Sequence, residues 1–218
     1  MRIVIAGGHG QIARRLERLL SAGGHEVAGI IRNRAQGDDL REAGAEPVLM
    51  DLESASVEEV AAVLQGADVA VFAAGAGPGS GAPRKETVDR GAAVLFADAA
   101  ERVGVRRYIA VSTMGADARH EGDDVFDVYL RAKGEADDHV RAKSGLDWTI
   151  LRPGTLTNDA GKGLVRLEAT TGRGSVPRDD VAAVLAEMVE TPATAGLTLE
   201  LVSGSVPVTV AVKDIAGN

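Results

Sequence analysis

Cysteine is absent from the 218 residues, so no disulfide staples the chain and no thiolate can serve as a nucleophile. A metal site would have to be made from histidine and carboxylates alone. Histidines 9, 25, 120 and 139 show no ligand spacing, and no metal is expected. Aromatic residues are scarce: Phe72, Phe96, Phe126, Tyr108, Tyr129 and Trp148 are all there are, which leaves no platform for stacking bases. Long apolar runs are missing too. Ile3-Val4-Ile5-Ala6 stops at Gly7, far short of a secretory core or a membrane span. Positive charge is in deficit, with 24 basic against 32 acidic residues and a formal charge of −8, a field that repels nucleic acid and anionic lipid. The expectation is a cytoplasmic protein, monomer or homodimer, that meets a small-molecule substrate and neither nucleic acid nor membrane.

What is present is ordinary globular material, 45% hydrophobic and 26% charged, with 27 glycines for tight turns. The length corresponds to about 1.5 typical domains, and one domain over 1–218 is expected, with a core over 1–153 and a small segment over 154–218. Strand-length apolar runs recur at Arg2 to Ala6, Glu26 to Ile31, Pro47 to Met50, Val69 to Ala73, Arg107 to Val111, Trp148 to Leu151 and Leu197 to Val202. Segments of helical period lie between them. Gln11 to Leu20 puts Ile12, Leu16, Leu19 and Leu20 on one face and Arg14, Arg15, Glu17 and Arg18 on the other. Thr87 to Val103 and Val125 to Ala142 read likewise, and Ser54 to Leu64 opens on a Ser54 cap. Such alternation predicts an α/β fold, a doubly wound parallel sheet with right-handed crossovers. Gly75 to Pro83 reads as a loop at the sheet's carboxyl edge, where these folds bind ligands.

Three features carry chemistry. The first is Gly7-Gly8-His9-Gly10-Gln11-Ile12-Ala13, between the first strand and the first helix. Gly7 suits a tight turn, Gly10 lets backbone approach a pyrophosphate, and helix-start amides meet the phosphates. The second is the set of strand ends. Arg32 stands where an acidic side chain would hold the ribose of NAD, so it argues for the 2′-phosphate of NADP, or else it is a solvated loop arginine. Asp51-Leu52 is placed to hold adenine, or to cap the following helix. Ala73-Ala74-Gly75 offers minimal side chains where a ribose must come close. The third is Tyr129-Leu130-Arg131-Ala132-Lys133, whose spacing puts tyrosine and lysine on one helix face. An ammonium beside a phenol favours phenolate, so such a pair can pass a proton, with Ser112 or Thr113 polarising the same oxygen. The plainer reading is a helix-surface pair.

In order, Gly7 to Ala13, Arg32-Asn33, Asp51-Leu52, Val111 to Ala116, Tyr129xxxLys133, Ser144 to Gly154 and Arg178 to Ala182 resemble an atypical short-chain dehydrogenase/reductase. More narrowly they are similar to the NAD(P)H-binding, NAD-dependent epimerase/dehydratase-like group, over essentially the whole chain. The resemblance implies a Rossmann fold holding NADP rather than NAD on Gly7, His9, Gly10, Gln11 and Ile12. It puts the phosphate on Arg32, the adenine near Asp51 and Leu52, and Lys133 and Pro153 on the cofactor side. It also places Thr113, Tyr129 and Lys133 on the family's hydroxyl, proton-donor and lysine positions, with Ala13 where the last glycine usually stands.

Activity varies within the group. Hydride transfer between NADP(H) and a small carbonyl, quinone or flavin-like acceptor is expected, or an epimerase-like transient oxidation; the alternative is a non-catalytic NADP(H)-sensing protein. About 65 residues follow Pro153, which predicts a small or open substrate pocket. There, Asn158 to Gly163 reads as a flap or surface loop, Asp179 or Asp180 as the cap of a helix over Val181 to Met188, and Leu199 to Val202 as an edge strand. Val208 to Ile215 is left open between helix and strand, because its β-branched residues oppose the helix that the resemblance suggests.

Overall fold

Residues 1–77 and 79–217 are described by the computed structural model; Pro78, inside the Gly75 to Pro83 stretch, and Asn218 lie outside the described residues. Six parallel strands come first: β1 (Arg2–Ala6), β2 (Glu26–Ile31), β3 (Glu46–Leu49), β4 (Val69–Phe72), β5 (Arg107–Val111) and β6 (Asp147–Pro153). Five shorter or later ones follow: β7 (Thr155–Thr157), β8 (Leu164–Glu168), β9 (Ser175–Pro177), β10 (Leu197–Ser203) and β11 (Val206–Pro207). The main sheet has nine strands in the order β11-β8-β10-β6-β5-β4-β1-β2-β3, and β7 pairs with β9 separately. This is the doubly wound order, reversing between β1 and β4.

Strand β1 is buried on both faces, and the period of two sends Ile3 and Ile5 to one layer and Val4 and Ala6 to the other. The first layer is closed by α1 (Gln11–Ala22), α7 (Arg178–Glu190) and α8 (Val208–Ala216), through Leu16, Leu20, Val181, Leu185 and Val212. The second is closed by α3 (Val57–Leu64), α5 (Ala93–Arg102) and α6 (Val125–Arg141), through Leu64, Phe96 and Val140. A short α2 (Gly37–Glu42) follows β2, and α4 (Ala82–Arg84) leads through a π-helical stretch, Lys85–Ala92, into α5. The seven expected strands and the long helices are in place.

Several local readings change. Ser56, not Ser54, caps α3: its hydroxyl takes the Glu59 amide at 3.2 Å while Glu59 returns a bond to the Ser56 amide at 2.7 Å. On α1, Leu19 is 45% exposed whereas Glu17 is fully buried, its Oε1 lying under Gly8 and Gly29. Among the described residues neither carboxylate oxygen of Glu17 finds a partner, and burial raises its pKa to about 8, which favours the neutral acid at pH 7. Asp179 and Asp180 do not cap α7, which starts after Pro177 without a side-chain cap. Their carboxylates hold the 161–163 loop instead, Asp179 through the Gly161 amide at 3.0 Å and Asp180 through Lys162 at 3.2 Å and Gly163 at 2.8 Å. Leu199 to Val202 is not an edge, because β8 and β11 extend the sheet beyond β10. The stretch left open at Val208 to Ile215 is helical, with Val208, Ala211 and Val212 buried on one side.

Candidate active site

The carboxyl ends of β1, β2 and β4 surround an open cleft of about 260 Å³ at the point where the strand order reverses. Gly7 turns the chain out of β1 at φ +81°, and a Cβ there would lie 2.6 Å from the Ala74 Cα, so only glycine fits between loop and β4. Gly10 closes the turn, its amide bonding the Gly7 carbonyl at 2.8 Å and its carbonyl accepting Arg14 N at 3.0 Å. From Gly10, α1 begins with no side-chain cap and no acidic residue in its first turn. The first-turn amides, including those of Gln11 and Ile12, have no helical acceptor and form an anion site. Such a cradle of free amides has the chemistry to take an anion, and a Cβ at Gly7 would push the turn that carries it off β4.

Of the other expected cofactor residues, His9, Arg32, Asp51, Leu52, Ala73, Ala74 and Gly75 line the same cleft. His9 Nε2 meets Asp39 Oδ2 at 2.7 Å, a hydrogen bond that, with nearby Arg14, holds the Asp39 carboxyl below the usual range. Asp51 does not cap α3; its Oδ1 accepts the Glu53 amide at 3.0 Å in an Asx turn. Pro153 is buried at the end of β6, and its carbonyl takes the Met114 amide at 3.0 Å, which fixes the segment after β5. Sequence reasoning missed Glu53, Arg84 and Val88, which also line the cleft, the first beside Asp51-Leu52 and the others just past the Gly75 to Pro83 stretch.

The residues expected to do chemistry separate into two groups. Ser112 is buried and donates to Asp137 Oδ2 at 2.8 Å, and the same oxygen takes Arg152 Nη2 at 2.7 Å, so the Ser112 hydroxyl points into a buried ion pair. Among the described residues Thr113 Oγ1 makes only a long contact, 3.5 Å to the Met114 carbonyl. Between the two hydroxyls left open by the sequence, Thr113 is the one not engaged by a buried charge. Lys133 is buried, bonds the Val111 carbonyl at 3.2 Å and lies 3.6 Å from Asp89 Oδ1. The cation over the Tyr129 ring is Lys85, 5.2 Å from its centroid, with Phe126 on the same helix at 6.0 Å. Asp89, buried in the π-helical stretch, gathers these parts: Lys133 on one oxygen, Lys85 at 3.9 Å and the Ala76 amide at 3.3 Å on the other. The Lys85–Asp89 spacing of four was the available sequence signal. A π-helical turn beside a site is common where backbone geometry serves function.

Doubly wound topology, a glycine cradle at the switch point and small residues along the floor define a Rossmann-type dinucleotide-binding protein. The profile of the NAD(P)H-binding family matches residues 7–192, and the chain belongs to that family. It is 35% identical to the uncharacterized sugar epimerase YhfK of Bacillus subtilis, over 99% of this chain and 100% of that one. A candidate NAD-dependent epimerase/dehydratase from Bacillus halodurans shares 36% identity, covers 98% of this chain and 99% of its own, and superposes with a TM-score of 0.90. The oxidoreductase ylbE from Lactococcus lactis superposes at 0.88 with 26% identity, over 100% and 98% of the two chains. These likenesses agree with the atypical short-chain dehydrogenase/reductase group. Among the described residues, no helix is long and apolar enough to cross a membrane.

Proposed function

We propose that the protein is a cytoplasmic NADP(H)-dependent oxidoreductase that acts on a small carbonyl, quinone or flavin-like acceptor, or oxidises and re-reduces one centre as epimerases do. The observation that carries this reading is the uncapped α1 N-terminus opening, through Gly7 and Gly10, on a cleft whose far wall bears Arg32. When bound, the nicotinamide supplies or accepts hydride at the substrate carbon. The chain's residues handle the oxygen. Tyr129 gives its phenolic proton to the oxygen as the carbonyl is reduced, and Thr113 donates a hydrogen bond to the same atom. Lys133 spends two contacts on Val111 and Asp89, which leaves an N–H of its ammonium for a ribose hydroxyl.

The rival reading is a coenzyme-sensing protein in which Tyr129 only packs. It draws on the contacts of that ring, stacked under Lys85 and beside Phe126. Tyr129→Phe separates the two. NADPH affinity measured by calorimetry should stay within about twofold, while NADPH oxidation with menadione, FMN and a panel of aldehydes falls about 100-fold. Unchanged turnover removes Tyr129 from the mechanism, and no turnover by the parent with any acceptor favours the sensor.

A further inference from the structure

Glu53, Arg84 and Thr87 belong to none of the motifs, yet they meet Arg32 at the adenosine end of the cleft. Glu53 Oε2 accepts from Arg84 Nη2 at 2.6 Å and lies 3.4 Å from Arg32 Nη1, while Oε1 accepts the Thr87 hydroxyl at 2.6 Å. The Thr87 hydrogen bond, followed by Arg84 and Arg32, holds the Glu53 carboxyl below its ordinary range, so this group is an anion at neutral pH. One carboxylate oxygen therefore sits between two guanidinium groups drawn from the end of β2 and from α4, and Arg32, Glu53 and Arg84 all line the cleft. Two planar cations around one acceptor are suited to a phosphate monoester, whose several oxygens can take both forks. With the Glu53 carboxylate moved aside, the two guanidinium groups present two positive charges, which a phosphate dianion would neutralise.

We infer that Arg84 is a second ligand for the coenzyme's 2′-phosphate and that Glu53 is the internal anion this phosphate displaces, so the three side chains together select between NADP and NAD. The inference rests on the dinucleotide reading of the cleft. NADP must push the Glu53 carboxylate aside to reach Arg32 and Arg84. NAD leaves Glu53 where it is, as an acceptor for the 2′-hydroxyl. Neither role was visible at Arg32 alone.

Calorimetric titration of the full chain with NADP⁺, NAD⁺ and adenosine 2′,5′-bisphosphate tests this, with thermal melting of each variant to confirm folding. Arg84→Ala should weaken NADP⁺ and the bisphosphate about tenfold and leave NAD⁺ within about twofold. Glu53→Gln should raise the preference for NADP⁺ over NAD⁺ by about threefold or more, since the charge that competes with the phosphate is lost and the 2′-hydroxyl keeps only a weaker, neutral acceptor. Coenzymes that bind with a ratio unmoved by either variant overturn the inference and leave the dinucleotide reading intact. A ratio moved by Arg84→Ala alone removes Glu53 as the displaced anion. No heat from any of the three ligands with the parent protein overturns the dinucleotide reading, and the inference with it.

Discussion

Residues 1–153 and 154–218 are put together by different means. In the first stretch, apolar strands alternate with helices, and the main polar bonds are the ladders of β1 to β6. In the second, β7, β9 and β11 have only two or three residues, and side chains supplement the ladders of β8 and β10: Asp179 and Asp180 hold the 161–163 amides, Arg178 donates to Asn158 at 2.8 Å, and Glu200 accepts the Thr171 amide at 2.7 Å. Regular alternation organises the first region, and individual polar contacts add to ladder and core in the second. The two meet where α1 packs on α7 and Arg15 pairs with Asp179. The regular scaffold fixes the free amides at the start of α1, and the irregular segment is tied down contact by contact.

Three substitutions put that contrast under strain. The largest effect is expected at a point in the regular region where unforgiving backbone geometry meets the cleft. Gly7→Val adds a branched side chain at positive φ against the Ala74 backbone, and NADPH affinity by calorimetry should fall by at least about 100-fold. Retained affinity would mean that the cradle is not the phosphate site.

Next comes Glu17, a single polar group that the regular region must tolerate. Its folded pKa of about 8 lies above the ordinary 4.5, so the unfolded chain loses its proton first as pH rises. Stability is fully present below about pH 4.5, declines by about 1.4 kcal/mol per pH unit, and levels off above about pH 8. In Glu17→Leu, urea unfolding at pH 5, 6.5 and 8 should show that slope flattened; an unchanged slope assigns it to another group. The smallest effect belongs to the irregular segment. Asp180→Ala removes the acceptor of the Lys162 and Gly163 amides and should cost about 2 kcal/mol in urea while leaving NADPH affinity within about twofold. A coenzyme affinity that moved with it would show that the two regions are coupled through α7.

Legibility follows the same division. Glycines 7 and 10 announce themselves because the turn they make is local, set by a strand before and a helix after. Ser56 was harder to separate from Ser54, since both are good caps and only Glu59, three residues on, completes the box. Glu17 lies on the inward face by helical period, with Ala13, Leu16 and Leu20, but a carboxylate argues for solvent, and the room for it comes from Gly8 and Gly29, which lack side chains to fill the space. Asp179 and Asp180 look like caps from their position, but their carboxylates are claimed by residues some eighteen positions away.

From the sequence alone came the order of strands and helices, the glycine turn, the family likeness and the positions of Arg32, Tyr129 and Lys133, because each depends on spacing within a single element or its immediate neighbour. Only the folded chain decided which hydroxyl of Ser112 and Thr113 is engaged, which lysine covers Tyr129, and that Glu53 bridges Arg32 and Arg84. Those relations join residues on separate elements, and distance in space between such groups is set by how the sheet and its crossovers pack, which no local pattern encodes.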